Sequence, residues 1–457
     1  YRASIGYTLN DGIKKTSEFQ RVTGSINLTP SFLDKHLTFN LNAKGMYTYN
    51  RYAPSVEGAA LDYDPTQSPY DESLTTFGGY FQYTNPANRN DSDPKWAIGE
   101  NTQSTANPLA TLAMENKHAN SGSFVGNLEA DYKIHGFEDM NLHANFGADY
   151  SYGKEVQDIS PESYFNNYYG HHETTIEQKY NLQFNAYAQY YKDFEEANQH
   201  FDAMVGYEWQ HFKRWGDYNS YGLYQPTSLA VDDAGNSLAG QKYLPTDNQW
   251  ATESYLVSFF GRINWIGWNQ LMLTATVRGD GSSRFSPKNR WGVFPSVALG
   301  WKIKETFFKD NNELSEWKLR LGYGITGQQN ISQGDYPYMP TYTVNQAHAY
   351  YTLGEKDENG NYIYFSTWRP NAYNPDITWE KTTTYNAGMD LAFLNNRISF
   401  SLDYYYRQTD DLINEVDIPA GTNFKTRVIK NVGSLSNQGV EVMFNSVLVD
   451  RKNFKWD

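Results

Sequence analysis

Cysteine is absent from the 457 residues, so the chain offers no disulfide framework, no thiolate zinc site and no thiol nucleophile. Nor does any stretch approach the roughly 18 consecutive apolar residues that mark a membrane helix. At Tyr1 there is no basic segment followed by an apolar one, so any signal peptide is expected to lie outside this sequence. An excess of positive charge is missing too. A net charge of −14 and a pI of about 5.1 argue against a nucleic-acid backbone as partner. Two further absences bear on fold: no amphipathic helix of about ten residues or more, and no repeat of some forty residues of the kind a propeller requires.

What the sequence has in abundance is aromatic residues, 16% of the total, with 38 Tyr and 12 Trp. It also has a strict period of two. In Tyr255–Trp265 the odd positions read Tyr, Val, Phe, Gly, Ile, Trp, while the even set includes Ser258, Arg262 and Asn264. One face of such a strand meets an apolar medium and the other meets water. The same alternation runs through Tyr1–Leu9, Val22–Leu28, Leu37–Tyr47, Phe124–Ile134, Leu142–Tyr152, Tyr180–Tyr190 and Phe201–Trp209. It continues in Leu271–Val277, Val293–Ile303, Trp317–Ile325, Thr383–Phe393, Ile398–Tyr406 and Val440–Leu448, with Phe454–Asp457 opening another run. The mean hydropathy of −0.72 is no objection, because wet and dry faces cancel in the average.

The connections alternate in kind. Short ones fall near 29–36, 135–139, 194–199, 266–270, 304–316, 395–397 and 449–453. Long ones fall near 48–122, 153–176, 213–251, 279–290, 327–377 and 408–436, with 10–18 intermediate but in the long series. In an up-and-down meander every second connection emerges on the same side, so one rim is trimmed and the other elaborated. Outer-membrane barrels have that asymmetry, with short periplasmic turns and long extracellular loops. Rings on the apolar parity gather at strand ends (Tyr180, Tyr190, Trp209, Tyr255, Trp265, Trp301, Trp317), as two interfacial girdles would require. A soluble β-sandwich would place its largest rings centrally as often as at the edges. The expected fold is therefore all-β, a transmembrane antiparallel barrel section of about fourteen strands. Val257, Phe259, Ile263, Leu273 and Val277 are expected to face lipid, with Val257 near mid-bilayer. The expected location is the outer membrane.

Candidate chemistry is sparse. His171-His172-Glu173 resembles a metal set, but neighbours on an extended segment point to opposite sides, and solvated loop histidines are the simpler reading. Asp357-Glu-Asn-Gly-Asn361 lacks the spacing and terminal bidentate Glu of a calcium loop and reads as an Asn-Gly turn. Asp232-Asp233 with Gly235-Asn236 reads the same way. Gly279–Arg284 has no following helix to bind phosphate and reads as a tight connection. No catalytic site, metal or cofactor is expected. Ligand contact is expected instead from aromatic residues of two long connections: Trp215, Tyr218, Tyr221, Tyr224 and Trp250 in 213–251, and Tyr336, Tyr338, Tyr342, Tyr350, Tyr351 and Trp368 in 327–377. Flat rings stack on sugars and pack on peptide side chains. Arg262, Arg278, Lys318 and Arg320, on the wet parity, are expected to line a polar interior.

Several segments resemble the SusC/RagA family of TonB-dependent outer-membrane transporters of Bacteroidetes-type bacteria. They are Leu273–Phe285, Asn289–Trp301, Leu319–Gln329, Asn374-Pro-Asp-Ile-Thr-Trp-Glu380, Thr384–Asp390 and Asp403–Leu412, with Tyr1–Tyr7 and Leu37–Met46 at the front. The resemblance implies a barrel of about 22 strands enclosing a plug, with about two strands expected before Tyr1 and about six after Asp457. It implies import of a large nutrient, a glycan or oligopeptide, captured with a SusD-like surface lipoprotein as lid. TonB would act through an N-terminal plug that these residues do not include. Unpaired strand edges cannot face lipid, so a longer chain is expected. The alternatives are an outer-membrane structural or assembly partner with the same barrel and no transport role, and a soluble carbohydrate-binding β-protein.

Overall fold

The computed structural model describes residues 1–457 other than 90–98, 100, 102, 165–169, 223–247, 332–334, 345–349, 453 and 457. Among the described residues, fourteen strands pair in sequence order, each antiparallel to the next. They are β1 (Arg2–Asp11), β2 (Glu18–Leu28), β3 (Leu37–Tyr52), β4 (Glu115–Lys133), β5 (Met140–Ile159), β6 (His171–Phe194) and β7 (Gln199–Gly222). The series continues with β8 (Asn248–Gly267), β9 (Leu271–Ser282), β10 (Trp291–Lys302), β11 (Leu314–Gln328), β12 (Glu380–Phe393), β13 (Ile398–Asp410) and β14 (Ser434–Ser446). β1 and β14 pair on one side only, so the sheet is an open wall. No helix among the described residues is long and apolar enough to cross a membrane.

The register carries one face unbroken across the wall. Ala203 stands opposite Ile263, Ile263 opposite Ala275, Ala275 opposite Val297, and Val297 opposite Tyr323, which meets Tyr385 and then Tyr406. Directly opposed residues share a face, so the apolar parity of every strand lies on one side. Phe259, Ile263 and Val277 are exposed there, and Val257 and Leu273 lie on it half-covered by neighbours. That row begins among small and aliphatic residues and ends in the upper tyrosines. The strands therefore tilt relative to the rims, as barrel strands must. Large rings are not confined to the ends: Phe146, Phe184 and Phe259 sit mid-strand on the same face.

Several strands run past the ends expected from alternation. β6 and β7 each have 24 residues, whereas about 9–11 suffice to span the lipid. Their upper halves stand beyond the apolar band with polar residues on both faces. That is why 48–52, 115–122, 153–159, 171–176, 213–222 and 248–251 belong to strands rather than loops. With those ends extended, the length contrast between rims narrows: 303–313, on the short side, is no shorter than 160–170, and 283–290 is shorter than both. The run at Phe454–Trp456 pairs with Val449–Arg451, not with the wall.

The buried core sits at the rim of long connections rather than within the sheet. Pro295 has no N–H to donate, and the β10–β11 ladder ends beside it at Ser296 opposite Gly324. Above that point the strands part. Phe285, Phe294, Ile331, Ile377 and Trp379 fill the gap and are all buried. Trp379 packs on Phe285 and Phe294 with ring centroids 5.2 Å away in each case, and its Nε1 donates to the Arg290 carbonyl at 3.0 Å. Asn374 Nδ2 donates to the Ile429 carbonyl at 2.9 Å, tying the same segment to the neighbouring hairpin Ile413–Asp417/Arg427–Asn431.

Candidate ligand surface

The inner face of the wall carries two arginine-centred networks. Arg278 donates to Glu208 and Asp280, each at 2.7 Å, and to Ser258 at 2.8 Å. Arg320 donates to Asp390 at 2.8 and 2.9 Å, to Asp403 at 2.8 Å through two nitrogens, and to Ser401 at 3.1 Å. A planar guanidinium suits this two-carboxylate grip. Gly388, opposite Arg320, makes room for it: a Cβ there would lie 2.2 Å from an Asp403 oxygen and 2.8 Å from Arg320 Cζ. Asp280 is two residues along the same strand as Arg278, but Glu208, Asp390 and Asp403 lie on other strands and only the register brings them to the arginines, so they carry no signal in the sequence. Arg262, on the same face, has its Nε buried without a hydrogen-bond partner.

The aromatic residues named from the sequence separate into different environments. Trp215 lies on the outward face of β7, edge-on to Tyr180 at 5.7 Å, with the Lys213 ammonium 5.8 Å from its ring. Tyr218 takes the opposite face and donates to Glu173 at 3.0 Å. Trp250, in β8, lies beside Gly216 with the Arg214 guanidinium 5.1 Å from its ring. None of the three is in a loop. The Tyr221 side chain and Tyr224 lie outside the described residues, as do Asp232–Asn236 and the Tyr350 side chain.

Tyr336 turns inward, its hydroxyl donating to the Glu253 carbonyl, and burial pushes that hydroxyl above the usual tyrosine range. Tyr338 packs against the buried core. Tyr342 and Trp368 are brought together: residues 342–344 pair with 368–370, so both project from one face of that hairpin, and both are exposed. Tyr351 is exposed further along the same excursion and packs on Phe365 at 6.1 Å.

Between this segment, the start of β8 and the 413–431 hairpin lies a cavity of about 480 Å³, lined in part by Thr252, Asp335, Tyr336, Asn371, Lys425 and Arg427. Its charges are largely balanced by neighbours: Asp335 pairs with Arg284 at 3.3 Å, and Arg427 with Asp417 at 2.9 Å and Glu415 at 3.4 Å. Pro337, Met339, Val428 and Ile429 also line the cavity, so it suits a ligand with both hydrogen-bonding and apolar surface. Of the described residues named from the sequence, Tyr336 lines it. Asn371, Lys425 and Arg427 carried no sequence signal, since polar loop residues acquire a site only when the fold gathers them.

The remaining motifs resolve plainly. His171 and His172 lie in β6, not in a loop, and bond apart: His171 to Glu173 at 3.4 Å, His172 to Asp158 at 2.5 Å. The Asp357 carboxylate accepts from the Asn361 and Asn359 amides at 2.8 and 2.9 Å, with Gly360 at φ +84°, so it closes a turn. Those backbone hydrogen bonds, Asn361's foremost, hold its carboxyl below the usual range. Gly279–Ser282 ends β9 as strand, and the connection begins only at Ser283. No cluster of three or more His, Cys, Asp or Glu residues suited to a metal occurs among the described residues.

An antiparallel wall with one apolar face, one charged face and its core beneath the long connections defines an outer-membrane β-barrel. The family model described as "TonB dependent receptor-like, beta-barrel" matches residues 6–457, and the chain belongs to that family. It is 47% identical to the TonB-dependent receptor SusC of Bacteroides thetaiotaomicron over 100% of this chain and 44% of SusC. It is 28% identical to a TonB-dependent receptor of Formosa agariphila over 100% of the chain and 43% of that protein. The chain thus spans less than half the length of these relatives. Among solved structures, that of the RagAB peptide transporter has the same fold: TM-score 0.71 at 23% identity, covering 98% of this chain and 47% of the other.

Proposed function

We propose that these residues form part of the wall and outer rim of an importer that carries a polymeric nutrient, glycan or oligopeptide, across the outer membrane. In this reading the long-connection rim faces outward and meets a SusD-like surface lipoprotein that closes over the ligand. Energy arrives through TonB acting on a plug held elsewhere in the full protein, and further strands complete the wall beyond β1 and β14. The observation that carries the reading is the lipid-facing parity continuous over fourteen strands and backed by an interior lined with ion networks. The identity to SusC supports the same direction. Within the rim, the exposed pair Tyr342 and Trp368 and the 480 Å³ cavity are the proposed ligand contacts. A structural or assembly role with the same barrel is the alternative, favoured by Tyr336 and Tyr338 serving loop packing rather than display.

The test is uptake of fluorescent oligosaccharides and oligopeptides by cells with and without the intact gene. Uptake of one class is expected to vanish on deletion. In gene-bearing cells treated with a protonophore, surface binding should persist while uptake stops. Unchanged uptake of both classes on deletion would contradict import and favour the structural role.

A further inference from the structure

At the short-connection rim, rings near the foot of five outward strand faces are each met by a large apolar side chain from the adjoining connection. Phe32 packs on Phe39 at 6.0 Å and Phe137 on Tyr190 at 5.9 Å. Trp268 meets Trp265 at 5.7 Å, Phe307 meets Trp301 at 5.7 Å, and Phe308 meets Trp317 at 5.4 Å. All five turn rings are exposed, Phe307 at 65%. Leu33 and Leu394 are exposed in the same tier.

For three of these residues, Trp268, Leu33 and Leu394, the backbone conformation disfavours a large side chain. Trp268 and Asn269 have φ of +52° and +56° in a turn closed by Gln270 N–H donating to the Gly267 carbonyl at 2.9 Å. Such a turn favours Asn or Gly at both central positions, and a bulky side chain there is strained. Leu33 and Leu394 also take positive φ, at +53° and +54°. Each strained residue would be a double burden in water, where its apolar surface is also unfavourably hydrated. In the headgroup layer, amphipathic rings and apolar wedges are stabilised.

We propose that this rim is a second membrane-contact tier: the turns lie in the phospholipid interfacial layer rather than standing free in water, and their apolar residues extend the lipid face below the strand girdle. Continuity with that face selects lipid over a protein partner. Placing this layer in the inner leaflet rests on the reading of the short-turn rim as periplasmic.

The test uses the intact protein in phosphatidylethanolamine–phosphatidylglycerol vesicles, with nitroxide labels at Leu33→Cys, Phe137→Cys or Phe307→Cys and, as water-side controls, at Glu138→Cys and Glu196→Cys. The first three should favour oxygen over a water-soluble nickel chelate, and the controls the reverse. Equal nickel access at both sets would overturn the proposal and leave local packing or a water-side protein as the explanation. Trp268→Asn gives a second readout, since it relieves the turn. Its thermal midpoint in vesicles should fall; a rise would overturn the proposal. Labelling Glu138→Cys on intact cells with an impermeant thiol reagent tests orientation separately: reaction from outside would refute the periplasmic assignment while leaving the depth result intact.

Discussion

Trp379→Ala is expected to destabilise the intact receptor by about 3–5 kcal/mol, the range for removing a large buried ring. Trp379 is 3% exposed and sits where β10 and β11 part above Ser296 and Gly324. Hydrogen bonds do not join the strands there, so packing of Phe285, Phe294, Ile377 and Trp379 closes the wall. Alanine leaves a cavity in the cluster, and leaves the Arg290 carbonyl without its 3.0 Å donor. Trp379→Phe separates the terms: it keeps a ring and loses about 1 kcal/mol for the hydrogen bond. Urea unfolding of the protein refolded into vesicles measures both. A change below about 1 kcal/mol for alanine would mean that the rim cluster does not hold the upper wall together.

Val277→Arg is expected to cost about 2–4 kcal/mol, the price of a charge on the lipid face near the bilayer midplane. Val277 lies mid-strand in β9, opposite Gly261 and Pro295, and is exposed. Val257→Arg is expected to cost about 0–1 kcal/mol, the interfacial value. The sequence suggested a deeper position for Val257. In the fold it stands opposite Trp209 and one outward step from Tyr255, at the upper girdle where an arginine can reach water. The ratio between these substitutions, measured in the same unfolding assay, reports depth as well as face. Equal costs would mean that the two residues do not differ in depth as placed.

The wall was legible because its signal is local. A period of two survives wherever one face meets lipid, so Tyr255–Trp265 announced its own orientation and that of each pairing partner. The strand extensions were not legible for the complementary reason. Beyond the lipid band both faces of β6 and β7 are wet, alternation stops, and Trp215 and Trp250 read as loop residues although the ladder continues through them. The rim core escaped for a different reason. Phe285 and Trp379 are brought together from distant connections with no periodicity to link them, and Asn374–Glu380 carried a family resemblance without disclosing its role as a wedge. Arg320 was placed on the correct face, but its grip on Asp390 and Asp403 depends on register and on the missing side chain at Gly388.

The central claim, that one face of the wall meets lipid and the other an aqueous interior, is tested most directly by single nitroxide labels at successive positions 255–265 of β8 in the intact receptor. This chain contributes no cysteine to interfere. Oxygen accessibility should oscillate with a period of two, high at Val257, Phe259 and Ile263 and low at Ser258, Phe260 and Arg262. A profile without that period, or with its phase reversed, would contradict the account.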